Sequence, residues 1–432
     1  MATVTIGAYT VAISGGGSGY STATGVSTSG GTGTGLKVNI AAVSGAIVAV
    51  AVSPTNPGEG YADGDLVTVS GGTGGVISVG VTSDYVTING AILGTAFPGN
   101  VLELQADFVH DNTRVTFNKS DVAITSYSGN PRDPGCTVTS NDTYTFLEQG
   151  SSGNSQFSGI TIENTKASGY AFYMYSVKVT LSDCVIRAAN RALAYPGTDT
   201  TIQRCHIESS VADGNTGIYA TSSAADNWAV DSCFFSGWRA AFYSYNSRPT
   251  VRNCTFYSPN NGDDYDLVNW KYQGSSSRPE EAKMYNCIIY SSTGTDTMFS
   301  AVYVDNWAST ANVLENIVAF GDYAVSSFRY TPAAPPLYVT TSDLFDSVPG
   351  TNAPTLPIFV AIGTDFHPDP AGSAYQTGNP AHTPATDIEG NAFDPATPSL
   401  GCYAAASTGG GTARAVGNSR AGFLSSPFTL TP

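Results

Sequence analysis

Apolar and polar residues repeat in a short phrase through the middle of the chain, from about residue 155 to residue 320. In each copy an apolar residue stands three positions before a Cys, and a second apolar residue stands two positions after it. The five clear copies are centred on Cys184, Cys205, Cys233, Cys254 and Cys287. Successive cysteines are separated by 21 to 33 positions, and a repeat of this length is typical of a solenoid.

The spacing within each phrase predicts a strand that bends. Side chains alternate along a strand, so the Cys and the residue two positions after it share one face. The apolar residue three positions before the Cys breaks that alternation by one, which indicates a bend between the two intervening polar positions. Gly, Asn and Asp crowd the intervals between phrases, where the chain must turn. These features predict the coils of a parallel β-helix, with shorter and less regular coils from Asp84 onward.

The five cysteines are predicted to form one buried, reduced column, because equivalent positions of stacked coils lie above one another. Disulfide bonds and metal binding are the alternatives, since neighbouring coils bring sulfur atoms close together. The chain has no Cys-x-x-Cys pair and its four His residues are scattered, which argues against a zinc site. We therefore expect no metal ion and no cofactor.

Residues 1–83 carry a different pattern, in which Gly clusters alternate with short apolar stretches. Gly-Tyr pairs end at Tyr20 and Tyr61, which suggests two copies of one small β motif. A phosphate-binding loop is the alternative, but no Lys-Ser or Lys-Thr follows the glycines, and turns explain them better. The phrases at 17–20 and 60–69 resemble a Gly-rich module of tailed-bacteriophage virion proteins. That resemblance implies attachment to other virion proteins.

Three phrases near the carboxyl end follow a Pro-rich stretch. Gly-Asn-Pro-Ala at 378–381, Asp-Ile-Glu-Gly-Asn at 387–391 and Gly-Cys-Tyr at 401–403 resemble the closing signature of right-handed parallel β-helix proteins of the pectate-lyase-like fold. Asn379 and Cys402 depart from that signature, which has Ser and Ala there. The predicted fold class is therefore all-β. We expect a small Gly-rich β domain at 1–83, a right-handed parallel β-helix with its closing loops at 84–405, and an extended arm at 406–432.

Composition and charge exclude several classes of partner. Only 12% of the residues are charged and 47 are Gly, which is typical of a turn-rich all-β protein. A net charge of −16 disfavours nucleic acid. The most apolar run, at 40–52, is too short to cross a bilayer as a helix, and the first residues lack the features of a signal peptide. We expect no nucleic acid, no membrane insertion, and synthesis in a host cytoplasm before assembly into a virion.

Two carboxylates are weak candidates for catalysis. Glycoside hydrolysis needs two facing carboxyl groups, and Asp183 and Asp231 stand at predicted bends two coils apart, a separation of roughly 10 Å that suits an inverting pair. An Asp at a bend is also a common turn residue, and Arg204 at the bend between them suggests ion pairing instead. The acidic cluster at 263–266 lacks the spacing of a calcium loop. We therefore assign no catalytic residue.

Tyrosines recur on the later strand of each coil. Alternation places several of them opposite apolar residues of the same strand, so they face outward if those residues form the core. An outward column offers ring faces and hydroxyl edges to sugars, whereas the alternative is that some of the rings stack in the core. The negative net charge favours a neutral sugar. The predicted glycan-binding residues are Tyr175, Tyr195, Tyr219, Tyr243 and Tyr272.

The patterns together predict a structural surface protein of a phage virion, either a tail fibre or tailspike subunit or a head-decoration subunit, that contacts host-surface polysaccharide. One alternative is a polysaccharide depolymerase tailspike that acts as a hydrolase or lyase. Another is a bacterial surface adhesin, which the missing export signal disfavours. The Pro-rich segment at 331–400 is a candidate contact in a homo-oligomer, but nothing in it fixes the number of subunits.

Overall fold

The β-helix is the largest part of the structure. The computed structural model describes residues 3–6, 9–53, 58, 61–80, 88, 101–104, 109–110, 114–117, 123–126, 136–148, 154–174, 178–211, 214–220, 228–245, 247–258, 267–271, 283–291, 302–305, 313–320, 328–331, 344–345, 358–361 and 365–405. Most of the strands among them stack in parallel on three faces of one repeating coil. Within these ranges no helix has the length and apolar character needed to cross a membrane.

The first face holds the strands that precede each predicted bend. Every strand pairs in parallel with its equivalent in the next coil. The strands are β1 (Thr3–Ile6), β8 (Val101–Leu104), β11 (Ala123–Ser126), β14 (Ser155–Ser158), β17 (Val179–Ser182), β20 (Thr201–Gln203), β23 (Trp228–Asp231), β26 (Pro249–Arg252) and the first halves of β29 (Lys283–Ser291) and β31 (Val313–Phe320).

The second face holds the strands that follow each bend, and they pair in parallel in the same way. They are β9 (Val109–His110), β12 (Cys136–Ser140), β15 (Ile160–Asn164), β18 (Val185–Ala188), β21 (His206–Ser209), β24 (Phe234–Ser236), β27 (Thr255–Ser258), the second halves of β29 and β31, and β33 (Leu344–Phe345).

The third face completes each coil and carries the aromatic strands, again in parallel pairs. Its strands are β10 (Val115–Phe117), β13 (Tyr144–Glu148), β16 (Tyr170–Tyr173), β19 (Arg191–Ala194), β22 (Gly214–Ala220), β25 (Trp238–Tyr245), β28 (Val268–Lys271), β30 (Val302–Asp305) and β32 (Phe328–Thr331).

A residue in the left-handed conformation turns each coil from the first face to the second. It stands directly before the cysteine position, where the sequence predicts the bend. Its φ lies between +48° and +63° in Gly159, Asp183, Arg204, Ser232, Asn253, Asn286 and Asn316. For residues other than Gly this conformation costs about 1–2 kcal/mol, which packing on both sides of the bend must offset. The predicted bend is confirmed.

The cysteine column lies in the core beside these bends. The five predicted cysteines are at most 1% exposed and none forms a disulfide, so the prediction is confirmed. The strand register adds Cys136 to the column one coil before Ile160, and Ile317 follows Cys287 at its far end. The apolar residues on either side of each cysteine are also fully buried: Leu181, Ile186, Ile202, Ile207, Val230, Phe235, Val251, Phe256, Met284 and Ile289.

The amino-terminal module has its own core and its own sheet. Its strands are β2 (Thr10–Ser18), β3 (Ala23–Ser29), β4 (Lys37–Val43), β5 (Ala46–Val52), β6 (Leu66–Val69) and β7 (Thr73–Gly80). These six antiparallel strands run in the order β2-β7-β6-β3-β4-β5, and β5 also contacts β2, so the sheet curls toward a barrel. Tyr9, Tyr20 and Tyr61 are buried in its core.

The predicted range of that module, 1–83, needs one correction at its amino-terminal end. Strand β1 pairs in parallel with β8, from Thr3 against Val101 to Ile6 against Leu104, so the first residues of the chain belong to the β-helix. Four residues of Thr-Val-Thr-Ile form a strand equally well in either sheet. Pairing with a distant strand, which sequence spacing does not reveal, decides between the two.

The carboxyl-terminal residues 358–361 and 365–405 form a segment that we call the C-terminal strap. It contains the antiparallel pair β34 (Phe359–Ala361) and β35 (Asp365–Pro368) and the 3-10 helix Pro380–His382. The strap packs on the outer side of the second face, where Ile388 and Leu400 bury Phe234 and Ile288. The Asn286 side chain, at a bend, accepts from the Asn379 N–H and donates to its carbonyl. The strap therefore covers the side of several coils.

Candidate functional site

A continuous column of tyrosine rings runs along the outside of the third face. Adjacent ring centroids lie 4.8 Å apart between Tyr144 and Tyr173, 4.9 Å between Tyr173 and Tyr195, 5.7 Å between Tyr195 and Tyr219, and 5.3 Å between Tyr219 and Tyr243. All five side chains are partly exposed. We call this set the tyrosine column.

Alternation along the strands of the third face directs three of these rings outward. Phe172, Leu193, Ile218 and Phe242 occupy equivalent positions and are fully buried. The residue after each of them faces the other way, and it is Tyr173, Ala194, Tyr219 and Tyr243 in successive coils.

In the coil that contains Ala194, the ring in the tyrosine column belongs to the next residue, Tyr195, which has a different backbone conformation. Ala194 stands where the other coils have Tyr, and Tyr195 follows it in the left-handed conformation, with φ +55°. Its N–H donates to the Tyr219 carbonyl at 2.9 Å, which holds the residue against the next coil. The Tyr195 ring consequently fills the gap between Tyr173 and Tyr219.

An arginine is inserted in the tyrosine column. The guanidinium carbon of Arg191 lies 3.7 Å from the Tyr219 ring centroid and 5.2 Å from that of Tyr170. Its Nη1 donates to the Tyr170 hydroxyl at 2.6 Å. Tyr219 lies between Arg191 of the preceding coil and Tyr243 of the following one, whose ring is nearly parallel at 15°. Cation–π and ring stacking therefore tie three coils together.

Of the predicted glycan-binding residues, the structure brings Tyr195, Tyr219 and Tyr243 together. Tyr175 and Tyr272 lie outside the described residues. Whether the three bind glycan stays a prediction. Tyr144 also belongs to the column but was missed, because it stands two positions before the buried Phe146, a spacing that by alternation alone would place it on the inner face.

The two weak catalytic candidates are held in ion pairs. Asp183 accepts from Nε and Nη2 of Arg204 at 2.9 and 2.7 Å, and Asp231 accepts from the same atoms of Arg252 at 2.7 and 2.5 Å. Their positions are also not equivalent, because Asp183 is itself a bend residue whereas Asp231 stands one position before one. The ion-pairing alternative therefore describes both residues.

The Asp183 side chain is the more buried of the two, at 4% exposed against 11% for Asp231. Burial raises the pKa of Asp231, while the hydrogen bonds and charge of Arg252 act against that rise. The Asp183 hydrogen bonds raise the pKa of Arg204. A bidentate guanidinium leaves neither carboxylate available as a free acid or base.

A second polar cluster lies in the C-terminal strap. His367 Nδ1 lies 2.7 Å from Asp365 Oδ1, its Nε2 lies 3.5 Å from Glu389 Oε2, and its ring packs on Tyr403 at 4.7 Å. The hydrogen bond to Glu389 is the main cause that raises the pKa of His367 to about 9. Among the described residues no group of three or more His, Cys, Asp or Glu is arranged to hold a metal ion.

Comparison with known proteins addresses the fold. Residues 175–329 match the sequence model of a family described as "Right handed beta helix region". The structure is similar to pectin methylesterase PemA from Erwinia chrysanthemi, at 12% identity and a TM-score of 0.31 over 58% of this chain and 91% of that one. It is similar to the deglycosylated pectin methylesterase from Aspergillus niger, at 13% identity and a TM-score of 0.30 over 61% and 94%. No curated protein matches the chain.

The family match and the three stacked faces confirm the predicted fold class, an all-β right-handed parallel β-helix preceded by a small β domain. The likeness to the two esterases, at such identity and TM-score, carries no argument about activity.

Proposed function

We propose that this chain is a non-enzymatic surface protein of a phage virion that contacts host-surface glycan through the tyrosine column. The observation that supports glycan binding is the column itself, in which rings from successive coils line one outer face at centroid distances of 4.8 to 5.7 Å. Its repeat follows the spacing of the coils, so an extended chain of sugars can contact several tyrosines at once.

The hydroxyl groups and ring edges are the parts of the column best placed to contact sugar. Tyr219 has Arg191 and Tyr243 stacked on its ring, so its ring faces serve the β-helix. The Tyr195 ring is tilted at 49° to Tyr173 and at 85° to Tyr219 and is not stacked in parallel on either. Tyr195 is therefore the member most suited to pack against the C–H surface of a sugar.

The virion assignment rests on the Gly-rich phrases that resemble phage modules. Those phrases belong to the separate six-stranded unit at 10–80, which we propose attaches the chain to its neighbours on the particle. A tail fibre, a tailspike and a head-decoration subunit are all compatible with this arrangement. The test is mass spectrometry of purified virions from the host that carries the gene, and absence of the chain from those particles contradicts the assignment.

Binding to glycan is tested with the purified protein on capsular and lipopolysaccharide glycans. We expect Tyr195→Ala to weaken binding by about 1 kcal/mol, which is roughly fivefold. Tyr375→Ala, on the C-terminal strap away from the column, is the matched control and should leave binding unchanged. Release of reducing ends or unsaturated products identifies a depolymerase instead and contradicts the non-enzymatic part of the proposal.

A further inference from the structure

The chemistry around Arg191 extends the proposed function from glycan in general to one class of glycan. Arg191 is partly exposed on the third face, in register with Tyr170 of the preceding coil and Thr216 of the following one. The rings of Tyr170 and Tyr219 flank its guanidinium group. Both contacts fix the orientation of the group before any ligand arrives.

Arg191 differs from three arginines of the neighbouring coils in having no carboxylate partner among the described residues. Arg187 pairs with Glu208 at 2.9 Å, Arg204 with Asp183 and Arg252 with Asp231. The contacts of the Arg191 guanidinium group within the described part of the chain are the hydroxyl and ring of Tyr170 and the ring of Tyr219.

The buried side of Arg191 makes the missing partner costly. Its Nε atom is buried and has no hydrogen-bond partner among the described residues. A buried donor left without an acceptor is destabilising, and the two tyrosine rings neutralise none of the charge. The protein therefore carries a fixed cation in the tyrosine column although its net charge is −16.

We propose that the tyrosine column binds an acidic glycan, with the carboxylate of a uronic or similar sugar acid placed against Arg191; this rests on the proposed function. A guanidinium group donates to a carboxylate through two parallel N–H groups, and such charge-assisted bonds are about twice as strong as neutral ones. Tyr195 lies within ring contact of Tyr219, so one sugar chain spans both the cation and the ring.

Polar side chains beside Arg191 suit the remaining hydroxyl groups of such a sugar. Asn190 and Asn215 stand directly before Arg191 and Thr216 in adjacent coils, and their amides are hydrogen-bonded to each other at 3.0 Å. Both lie at the surface, where they present further donors and acceptors. An acidic sugar replaces the neutral sugar expected from the net charge, because the local charge at the site opposes the net charge of the molecule.

The experiment uses pairs of probes that differ in one functional group. Uronic-acid-containing capsular oligosaccharides are compared with their carboxyl-reduced forms, in which each carboxylate has become a primary alcohol. We expect the full-length protein to bind the acidic member at least about tenfold more tightly. Arg191→Gln should abolish this preference, and Arg191→Lys should retain part of it, since lysine keeps the charge without the planar fork.

Arg187→Gln is the matched control. Arg187 stands four residues before Arg191 and already has a carboxylate partner in Glu208, so the substitution removes the same charge without touching the proposed site. It should keep the preference for the acidic probe. Equal binding of the two probes by the wild-type protein overturns this inference and leaves the proposed glycan binding intact. Loss of the preference in Arg187→Gln to the same extent also overturns it. Binding to neither probe class, acidic or reduced, overturns the proposed function together with the inference.

Discussion

Asn253 shows how one residue can serve a bend in two ways. Its backbone adopts the left-handed conformation, with φ +48°, and its side chain is fully buried. The amide nitrogen donates to the Ser399 carbonyl at 3.0 Å, and the amide oxygen accepts from Asn286 at 3.3 Å. Asn is among the few L-residues that tolerate this conformation, and here its amide also joins the bend to the C-terminal strap.

Two substitutions separate these contributions. Asn253→Gly and Asn253→Val both remove the amide, but only valine adds a β-branched side chain to a left-handed backbone. We expect Val to lower the free energy of unfolding by about 1–2 kcal/mol more than Gly does. Urea denaturation of the two variants measures the difference. Equal stability would mean that the bend relaxes when its side chain changes.

The cysteine column gives a second prediction for single residues. Cys254 is fully buried, and burial raises the pKa of its thiol well above the usual range. Replacement by Asp places a carboxyl group where it must be protonated or carry an unpaired charge, so we expect a loss of about 3 kcal/mol or more in the free energy of unfolding. Cys254→Ala is the control and should cost about 1 kcal/mol. A loss for Asp no larger than for Ala contradicts a dry core.

The sequence predicted where most of the tyrosines lie but not what their rings contact. Alternation along a strand fixes the face on which a side chain stands, which is why the outward placement of Tyr219 and Tyr243 was predictable. Stacking depends on rotamers and on the neighbouring coil, so the sequence alone did not reveal that Arg191 lies over Tyr219. For the same reason the pairing of Asp231 with Arg252, one coil further on, was not predicted.

Among the larger elements, the C-terminal strap is stabilised by both apolar and polar contacts. Ile388 and Leu400 are buried against the second face, and the Asp387 carboxylate accepts from the N–H groups of Asn391 at 2.6 Å and Ala404 at 3.0 Å. The phrase at 387–391 was recognised from sequence as a closing signature. Its contact with the side of the coils was not predictable, because residues distant in sequence supply the partner surface.

The strap should respond to pH through His367. The pKa of this residue is raised to about 9, first by its hydrogen bond to Glu389 and then by Asp365. A raised pKa means that the stabilisation is fully present below pH 6.5, the ordinary value, and is lost as pH rises through about 9. We expect the difference in unfolding free energy between wild type and His367→Gln to shrink over that interval.

Urea denaturation at a series of pH values measures this difference directly. Glu389→Gln provides the control, because it removes the main cause of the raised pKa and should move the loss of stability to lower pH. A difference between wild type and His367→Gln that stays constant from pH 6 to about pH 10 contradicts the assignment of the effect to this histidine.

At the scale of the whole molecule, the six-stranded module is an insertion in the first coil of the β-helix. Strand β1 precedes the module and β8 follows it, and these two strands pair with each other. The module also begins and ends at one place, since Thr10 and Gly80 are register partners at the ends of β2 and β7. Its two connections to the β-helix are therefore adjacent, as in domains that tolerate excision.

This arrangement predicts that two deletions of similar size differ in outcome. Removal of residues 9–80, with Ala8 joined to Val81, keeps β1 and should leave a β-helix whose thermal midpoint is close to that of the full chain. Removal of residues 1–83 also takes away β1, so the edge of β8 is exposed and should promote association between chains. Thermal denaturation and light scattering of both shortened chains measure this contrast. Equal association of the two shortened chains would show that β1 does not protect the first coil. Failure of both shortened chains to fold would show that the module is required for folding of the β-helix.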